Sequence, residues 1–474
     1  MLSKRQIYLL DPQKYPPEVI AVAFAKTSRS PESFQQIADE LTDEKSAQFH
    51  EKWVVGYGHS SVAEHAVLHI AAENISRLAV ECLESNRLAS YTEKSTRYQK
   101  WDPENFHIPE ELEGHKLESR YIETCRLLFS TYATAMEKVK ILADQDEPLR
   151  EGESEALRQN RIRSKSADVC RYLLPAAALA NVGMTINARA LEHAITKMLS
   201  NPLAEVRAMG EEIKSTAKGE VPTLVKYADA DPSFQEIEDC FHGGQAKEDL
   251  QPGEDQDWCR LIRYDPNAEE MILSAFLYKY SGISLSQAAE KVRILTPTEK
   301  TNFLDKIFIT QNRHLSLPRE LEYARYTFDL ILDQGAYFEL KRHRMMTQTA
   351  QPLGISLGYT LPRWISLAGL EKEYRTAMET AEGTYRAISN EIPCVAGYIV
   401  PNAYRRRLLV DFNLRSGMHM LSLRSAPNAH FSMRRAARRM VDEIRNVQPW
   451  LSKYYKFDSS ETWQSIENAF FTEA

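Results

Sequence analysis

The feature that most restricts how this chain can fold is that its plan is written twice. Asp11-Pro12 leads into Glu18-Val19-Ile20-Ala21-Val22-Ala23-Phe24, and Asp265-Pro266 leads into Glu270-Met271-Ile272-Leu273-Ser274-Ala275-Phe276. Phe49 and Lys52 answer Phe303 and Lys306. Pro175 precedes Asn187-Ala188-Arg189 by twelve positions, and Pro401 precedes Asn413-Leu414-Arg415 by the same twelve. Val221-Pro222-Thr223-Leu224-Val225-Lys226-Tyr227 closes the first copy much as Val447-Gln448-Pro449-Trp450-Leu451-Ser452-Lys453-Tyr454 closes the second. Chance likeness of helical segments is the alternative, but the matches keep their order along both halves. Ordered self-similarity of this kind marks repeated structural units. It predicts an N-terminal repeat over residues 1–232 and a C-terminal repeat over residues 259–474. Between them, residues 233–258 contain Gly243-Gly244 and Pro252-Gly253-Glu254-Asp255 and read as an acidic linker or surface excursion.

With 474 residues, 43% hydrophobic and 26% charged, each half can bury a core of its own. Residues 65–72 alternate, with Ala66, Leu68 and Ile70 on one face, as in a half-buried strand. From Ile75 the spacing of Ile75, Leu78, Ala79 and Cys82 becomes helical. The second copy predicts a strand over 322–328 and a helix running from Ile331 to Arg344. Long helices are expected over 117–143 and 371–391. The class is therefore α+β, with helices packed on a sheet in each half.

No stretch approaches the roughly 20 apolar residues of a membrane helix, and Met1-Leu2-Ser3-Lys4-Arg5-Gln6 has no apolar run behind its basic pair. A secretory signal is not expected. Cys82, Cys125, Cys170, Cys240, Cys259 and Cys394 lack pair spacing, so the expectation is a reducing cytoplasm without a disulfide framework or zinc site. The net charge of −7 does not favour polyanions overall, although a cleft can focus a local basic field.

Three groups of residues carry chemistry. In an extended Glu93-Lys94-Ser95-Thr96-Arg97-Tyr98 segment, Glu93, Ser95 and Arg97 share one side. They suit a phosphorylated, hydroxyl-bearing ligand, or else form an exposed polar loop. Lys341-Arg342-His343-Arg344 stands where the matching helix ends, a place the helix dipole favours for cations in any case. Asn413, Gly417, Met420 and Arg424 line one face of a late helix and would span an elongated cofactor. The first half has Asn187, Leu191, Ala194 and Met198 at those places, so its arginine has become apolar.

Gly58-His59-Ser60-Ser61-Val62-Ala63-Glu64-His65, followed by Ser85-Asn86-Arg87 and the segment from Glu93 to Tyr98, resembles the flavin-dependent thymidylate synthases. That family carries Arg-His-Arg, then Ser after seven residues, then Arg two positions on. Arg87, Ser95 and Arg97 keep that spacing, and Arg171-Tyr172-Leu173-Leu174-Pro175 with Asn187-Ala188-Arg189 matches later motifs. The resemblance covers nearly all of the first half and, more weakly, the second. It implies two tandem copies of the flavin-dependent thymidylate synthase fold, each a sheet packed with long helices.

The departures from the family pattern are complementary. The first half has Ser85-Asn86 in place of Arg-His, and Met198 in place of the late arginine. The second keeps Arg342-His343-Arg344 and Arg424, but has Pro352, Gly354 and Gly397 where the serine, the arginine after it and Arg171 should be. The family's homotetramer builds each site from several subunits. The resemblance therefore implies that the two halves assemble one complete site and leave its mirror image ruined.

The resemblance also implies the reaction: FAD-dependent synthesis of dTMP from dUMP, with methylenetetrahydrofolate and NADPH as co-substrates. Arg97 and Arg171 would hold dUMP, with Glu93, Lys94, Ser95 and Thr96 of the same loop and Arg342. Arg424 would stabilise charge developing on the uracil. Arg342, His343, Arg344 and Glu93 would grip FAD, joined by Ser61, Asn187, Arg189, Asn413, Arg415 and His419. A homodimer equivalent to the tetramer is expected. Other readings are the same scaffold acting on a different pyrimidine nucleotide, or a nucleic-acid-binding pseudoenzyme using Arg405-Arg406-Arg407 and Arg434, Arg435, Arg438 and Arg439. His59, His65 and His69 invite a metal reading, but convergence of His65 and His69 needs a helix where a strand is expected, so no metal is expected.

Overall fold

The alternating segments of each copy form an antiparallel sheet. The computed structural model describes residues 5–56, 60–96, 101–242, 257–308, 316–455 and 460–472. In the first copy β1 (Val67–Ser76), β2 (Ala89–Glu93) and β3 (Leu179–Asn187) lie in the order β1-β3-β2. In the second, β4 (Cys259–Tyr264), β5 (Arg325–Asp333), β6 (Thr347–Ala350) and β7 (Arg405–Asn413) lie in the order β4-β5-β7-β6. β5, β6 and β7 take the places of β1, β2 and β3, with β4 added at the edge. Register repeats as well: Val67 opposes Asn187, and Arg325 opposes Asn413.

The central strands show why. β3 buries Ala180, Val182, Met184 and Ile186, and β7 buries Arg406, Leu408, Val410 and Phe412, one residue in two. Both strands end on an asparagine that starts a helix. Asn187 Oδ1 accepts from Ala190 N at 2.9 Å to open Ala188–Leu199, and Asn413 Oδ1 accepts from Ser416 N at 2.9 Å to open Leu414–Arg424. Such a cap is worth about 1 kcal/mol.

The first strands run further than their alternation suggests. Ile75 and Ile331 belong to β1 and β5, and the helices begin only at Arg77 (Arg77–Leu83) and Gln334 (Gln334–Leu340). An apolar residue at a strand-helix junction satisfies either period. The capping side chains decide, with Ser76 Oγ accepting from Ala79 N at 3.0 Å and Asp333 Oδ1 from Ala336 N at 2.8 Å. Both helices stop early, at Leu83 and Leu340, which leaves Ser85-Asn86-Arg87 and Arg342-His343-Arg344 beyond their ends. The long helices are Glu118–Asp146 and Glu371–Ser389. In the segment read as a linker, residues up to 242 form the helix Pro232–His242, and residues 243–256 lie outside the described residues. No helix among the described residues is long and apolar enough to cross a membrane.

The copies meet about a pseudo-twofold axis. Pro175 and Pro401, equivalent in the repeat, form a β-bridge with each other. Around them the hydrogen bonds are reciprocal. Ala176 N donates to Val400 O at 3.0 Å and Asn402 N to Leu174 O at 3.0 Å, while Ala177 N donates to Tyr398 O at 2.8 Å and Ala403 N to Tyr172 O at 3.0 Å. The long helices pack here into one core drawn from both halves, with Tyr121, Phe129 and Tyr172 against Tyr374, Tyr398 and Tyr404. Each copy repeats the same anchor: Tyr121 donates its hydroxyl to His107 O at 2.7 Å, and Tyr374 to Thr360 O at 2.8 Å. Two further cores lie under the two sheets. At another pair of equivalent positions the symmetry is broken in chemistry, since Glu84 and Lys341 form a buried ion pair at 2.9 Å.

Candidate active site

Four pieces of chain converge between the halves. From the first half come residues 93–96, which leave the end of β2, and Arg171, in the short turn after the helix Glu155–Cys170. From the second come Phe338, Glu339 and Arg342 around the end of Gln334–Leu340, and Arg424 at the last turn of Leu414–Arg424. Together with Arg77, they enclose a cavity of about 320 Å³.

Its wall is a chain of charged contacts across the junction of the halves. Glu93, buried, accepts from Arg342 Nη2 at 3.0 Å and also from Arg77 Nη1. Arg171 Nη1 donates to Thr96 Oγ1 at 3.2 Å and Nη2 to Gly335 O at 3.5 Å. Arg424 donates from Nε to His343 Nε2 at 2.9 Å and from Nη1 to Glu339 Oε2 at 3.1 Å. Five cationic side chains, those of Arg77, Lys94, Arg171, Arg342 and Arg424, line the cavity against the carboxylates of Glu93 and Glu339. Two buried guanidinium nitrogens, Arg77 Nη2 and Arg171 Nε, have no hydrogen-bond partner among the described residues. Arg171 Nε lies 3.8 Å from Asp168 Oδ1, and the arginines that line the cavity suit a phosphate or carboxylate ligand, which takes charge-assisted bonds from guanidinium groups.

Burial, with the neighbouring cations second to it, lowers the basicity of several groups here. Burial pushes Arg77 down to about 9, with Glu84 opposing and Arg171 and Arg342 adding to the shift. Burial first, then the Arg424 guanidinium, pushes His343 down to about 3. His343 is therefore neutral near pH 7. With Nε2 accepting from Arg424, its proton resides on Nδ1. Arg424 is itself lowered by burial, against the pull of Glu339.

A second chamber of about 250 Å³ adjoins the first, with Tyr91, Thr92, Lys341 and Arg344 among its walls. The Arg344 guanidinium lies over the Tyr91 ring at 5.4 Å. Glu93 and Arg342 line both chambers, so their ion pair forms the partition.

Of the residues singled out in the sequence, Glu93, Lys94, Ser95, Thr96, Arg171, Arg342 and Arg424 come together in the first chamber and Arg344 in the second, while His343 stands behind Arg424. Arg97 lies outside the described residues. The others are not brought to either chamber. Ser61 is exposed in the turn Ser60–His65, Asn187 and Asn413 are helix caps, Arg189 pairs with Glu64, and Arg415 pairs with Glu322 at 3.0 Å. His419 is exposed, its ring 6.0 Å from that of His343.

The stripe expected to span a cofactor is mostly core. Gly417 sits so close to Phe412 that a Cβ there would lie 2.6 Å from its ring, and Met420 is fully buried. Only Arg424, at the end of the stripe, reaches the cavity.

Arg77, Phe338, Glu339 and Asn428 were not anticipated from the sequence. The available signal for Arg77 was a guanidinium on the apolar face of a helix that buries Ala79, Val80 and Leu83. The basic patches are tied up internally. Arg434 pairs with Glu461 at 3.2 Å, Arg435 with Glu467 at 2.8 Å, Arg439 with Asp257 at 2.8 Å, Arg406 with Glu81 at 2.9 Å, and Arg407 with Asp329 at 2.8 Å. Of the histidines read for metal, His69 lies on β1 with Nδ1 2.9 Å from Thr185 Oγ1, and the His65 ring packs on Phe24 at 4.9 Å.

A family model described as thymidylate synthase complementing protein matches residues 9–223 and 260–450, once in each half, and the chain belongs to that family. A UPF0159 protein of Chlamydia muridarum is 32% identical over 440 residues, spanning 89% of this chain and 83% of the relative. A UPF0159 protein of Thermoplasma acidophilum is 28% identical over 88% of this chain and 90% of its own length. A flavin-dependent thymidylate synthase of Clostridium tetani is 30% identical over 217 residues, which is 45% of this chain and 82% of that enzyme. Among solved structures, the flavin-dependent thymidylate synthase of Helicobacter pylori complexed with FAD and dUMP aligns with a TM-score of 0.32 and 19% identity, covering 42% of this chain and all of that one.

Proposed function

We propose that the chain makes dTMP from dUMP in a flavin-dependent reaction, using FAD, methylenetetrahydrofolate and NADPH. The observation that carries this reading is the two-chambered cavity whose cations come from both halves, with Arg77 and Arg171 from the first and Arg342 and Arg424 from the second. Membership of the family and the Clostridium tetani relative support it.

In this reading the first chamber takes dUMP. Arg171 and the Thr96 hydroxyl meet the phosphate, and Ser95 hydrogen-bonds the nucleotide. Arg424 faces the pyrimidine and stabilises negative charge as it develops on the ring. Glu339 and neutral His343 hold the Arg424 guanidinium in one orientation from two sides, so little reorganisation is needed when that charge appears. Arg342 and Arg344 at the second chamber suit the phosphates of FAD, and this donor set fits that group. When bound, the flavin supplies the methylene relay and the hydride. Glu93 keeps Arg342 poised at the partition. Arg97 belongs to the proposed phosphate clamp by family resemblance. Residues 1–232 and 259–474 are proposed as the two repeats, and two chains as a homodimer that recreates four repeat units in closed symmetry.

The test is direct. Purified protein should be yellow, dUMP should perturb its flavin absorbance, and dTMP should form only when reductant and the folate are both supplied. Colourless protein that takes up no FAD on titration would overturn the reading.

A further inference from the structure

The pseudo-twofold axis that builds the composite site also defines its mate, and the mate is open. A cavity of about 830 Å³ is lined by Glu81, Cys82, Ser85, Lys197, Pro352 and Gly397. These are the repeat positions of Phe338, Glu339, Arg342, Leu423, Ser95 and Arg171 in the composite site. Ser95, Arg171 and Arg342 have Pro352, Gly397 and Ser85 in their places, yet the space has neither collapsed nor filled. It is more than twice as large as the composite chamber.

Its chemistry is new rather than absent. The two carboxylates in the wall are already held, Glu81 by Arg406 at 2.9 Å and Glu84 by Lys341 at 2.9 Å. Besides Arg344, which this cavity shares with the second chamber, two cations have no such partner. Lys197, where the composite site has Leu423, reaches only neutral oxygens, Ser85 Oγ at 2.5 Å and Asn86 Oδ1 at 2.8 Å. Arg87 donates from Nη2 to Met346 O at 3.1 Å. Neither forms an ion pair with a carboxylate among the described residues, so the cavity keeps a surplus of positive charge. Tyr337, Leu353 and Tyr385 also line the cavity, with the Arg406 guanidinium 4.7 Å over the Tyr337 ring. Cations and aromatic rings lining one cavity, in a volume within the roughly 300–1,000 Å³ of ligand pockets, describe a site for an amphipathic anion.

We infer that this second cavity binds a metabolite with a flat or apolar body and several negative charges, larger than a nucleoside monophosphate. Lys197 and Arg87 take the charges, and Tyr337, Tyr385 and Leu353 take the body. The charges are phosphates on a nucleoside or carboxylates on a glutamyl tail. The inference does not depend on which reaction the composite site performs.

Calorimetry separates these sources and the two cavities. The chain carrying Arg171→Ala and Arg424→Ala, which disarms the composite site, is titrated with dTTP and, separately, with folyl triglutamate. One of the probes should bind at one per chain with a Kd of about 100 μM or tighter, and the one that does identifies the source of the charge. Adding Lys197→Met should weaken that binding at least about tenfold, as loss of one charge-assisted contact does, and Arg87→Gln should do the same. If either variant melts early, the other carries the test. Lys197 lies outside the proposed dTMP machinery, so Lys197→Met alone should leave dTMP formation within about threefold of wild type. Absence of binding by both probes below about 1 mM would overturn the inference. So would binding that vanishes in the Arg171→Ala, Arg424→Ala background, or binding untouched by both Lys197→Met and Arg87→Gln.

Discussion

The two cavities beside the pseudo-twofold axis occupy the same places in the same fold, yet share almost no side chains. The composite cavity meets the axis with Arg171, Ser95 and Arg342, and its mate with Gly397, Pro352 and Ser85. Backbone symmetry survives to the level of individual hydrogen bonds, as the reciprocal pairs around Pro175 and Pro401 show. The core that carries those bonds is shared by both halves and cannot change on one side alone. Wall residues of a cavity have no such constraint, so one cavity keeps its arginines while the other drifts to different chemistry.

The largest expected effect tests that asymmetry. Arg171→Ala or Arg424→Ala should lower the rate of dTMP formation about 30- to 1000-fold, the cost of losing one charged donor to a phosphate or a developing anion. Gly397→Ala, at the position matching Arg171, should change the rate less than threefold. Met198→Ala, matching Arg424, should cost about 2–5 kcal/mol of stability, because Met198 is fully buried, with little loss of catalysis per folded molecule. Denaturant titration beside the rate assay separates the two. Catalysis lost through Met198 but kept without Arg424 would reverse the assignment of halves.

The next effect is a factor of two in stoichiometry. Each 54.3 kDa chain should bind one FAD and, in its tight class, one dUMP. Calorimetric titration of apo-protein reads the number, and a value near two per chain would make the cavities equivalent. Light scattering on the same sample should give twice the chain mass, and an active monomer would rule out the proposed dimer.

Smaller effects bear on the frame that both halves share. Asn187→Ala and Asn413→Ala should each cost about 1 kcal/mol, since both side chains cap the helix after the central strand. A cost confined to one copy would mean that the symmetry of the helix starts is only geometric.

The smallest effect belongs to His343. In the folded chain it takes up no second proton until about pH 3, whereas the unfolded chain takes one up below its ordinary value of 6.5. The stability it contributes is thus complete above pH 6.5 and is lost progressively as pH falls towards 3. Between pH 6.5 and 5 the melting temperature of His343→Gln should fall less than that of wild type, and an equal fall would remove His343 from the account. Burial also lowers His50, against its hydrogen bond with Glu18 O, and both proteins share that background.

Much of this was legible in the residues, because a duplication leaves its own record. The order of the repeat disclosed two units of one fold, and the complementary losses at Ser85-Asn86, Met198, Pro352 and Gly397 pointed to which side chains would share a cavity. The helix starts were not legible, since Ile75 and Ile331 fit either period and only the Ser76 and Asp333 caps settle the boundary. Arg77 was missed for a related reason, because a helix that short shows too little periodicity to expose a misplaced charge. The row Arg434, Arg435, Arg438 and Arg439 looked like a solvated basic face. It is instead a platform for acids such as Glu461 and Glu467, brought over it by the last segment of the chain, a tertiary contact that no local pattern reports.

The buried Glu84–Lys341 pair carries a further consequence. In a dimer of identical chains, equivalent positions that meet across the axis present the same residue twice, so an acid there faces an acid and a base faces a base. Fusion lifts that restriction, because the two positions are then encoded separately and can take opposite charges. Once they have, neither half is a fit partner for its own duplicate: a pair of first halves would bury two carboxylates together, and a pair of second halves two ammonium groups, each several kcal/mol uphill. Duplication has thereby turned a self-recognising surface into one that tells left from right.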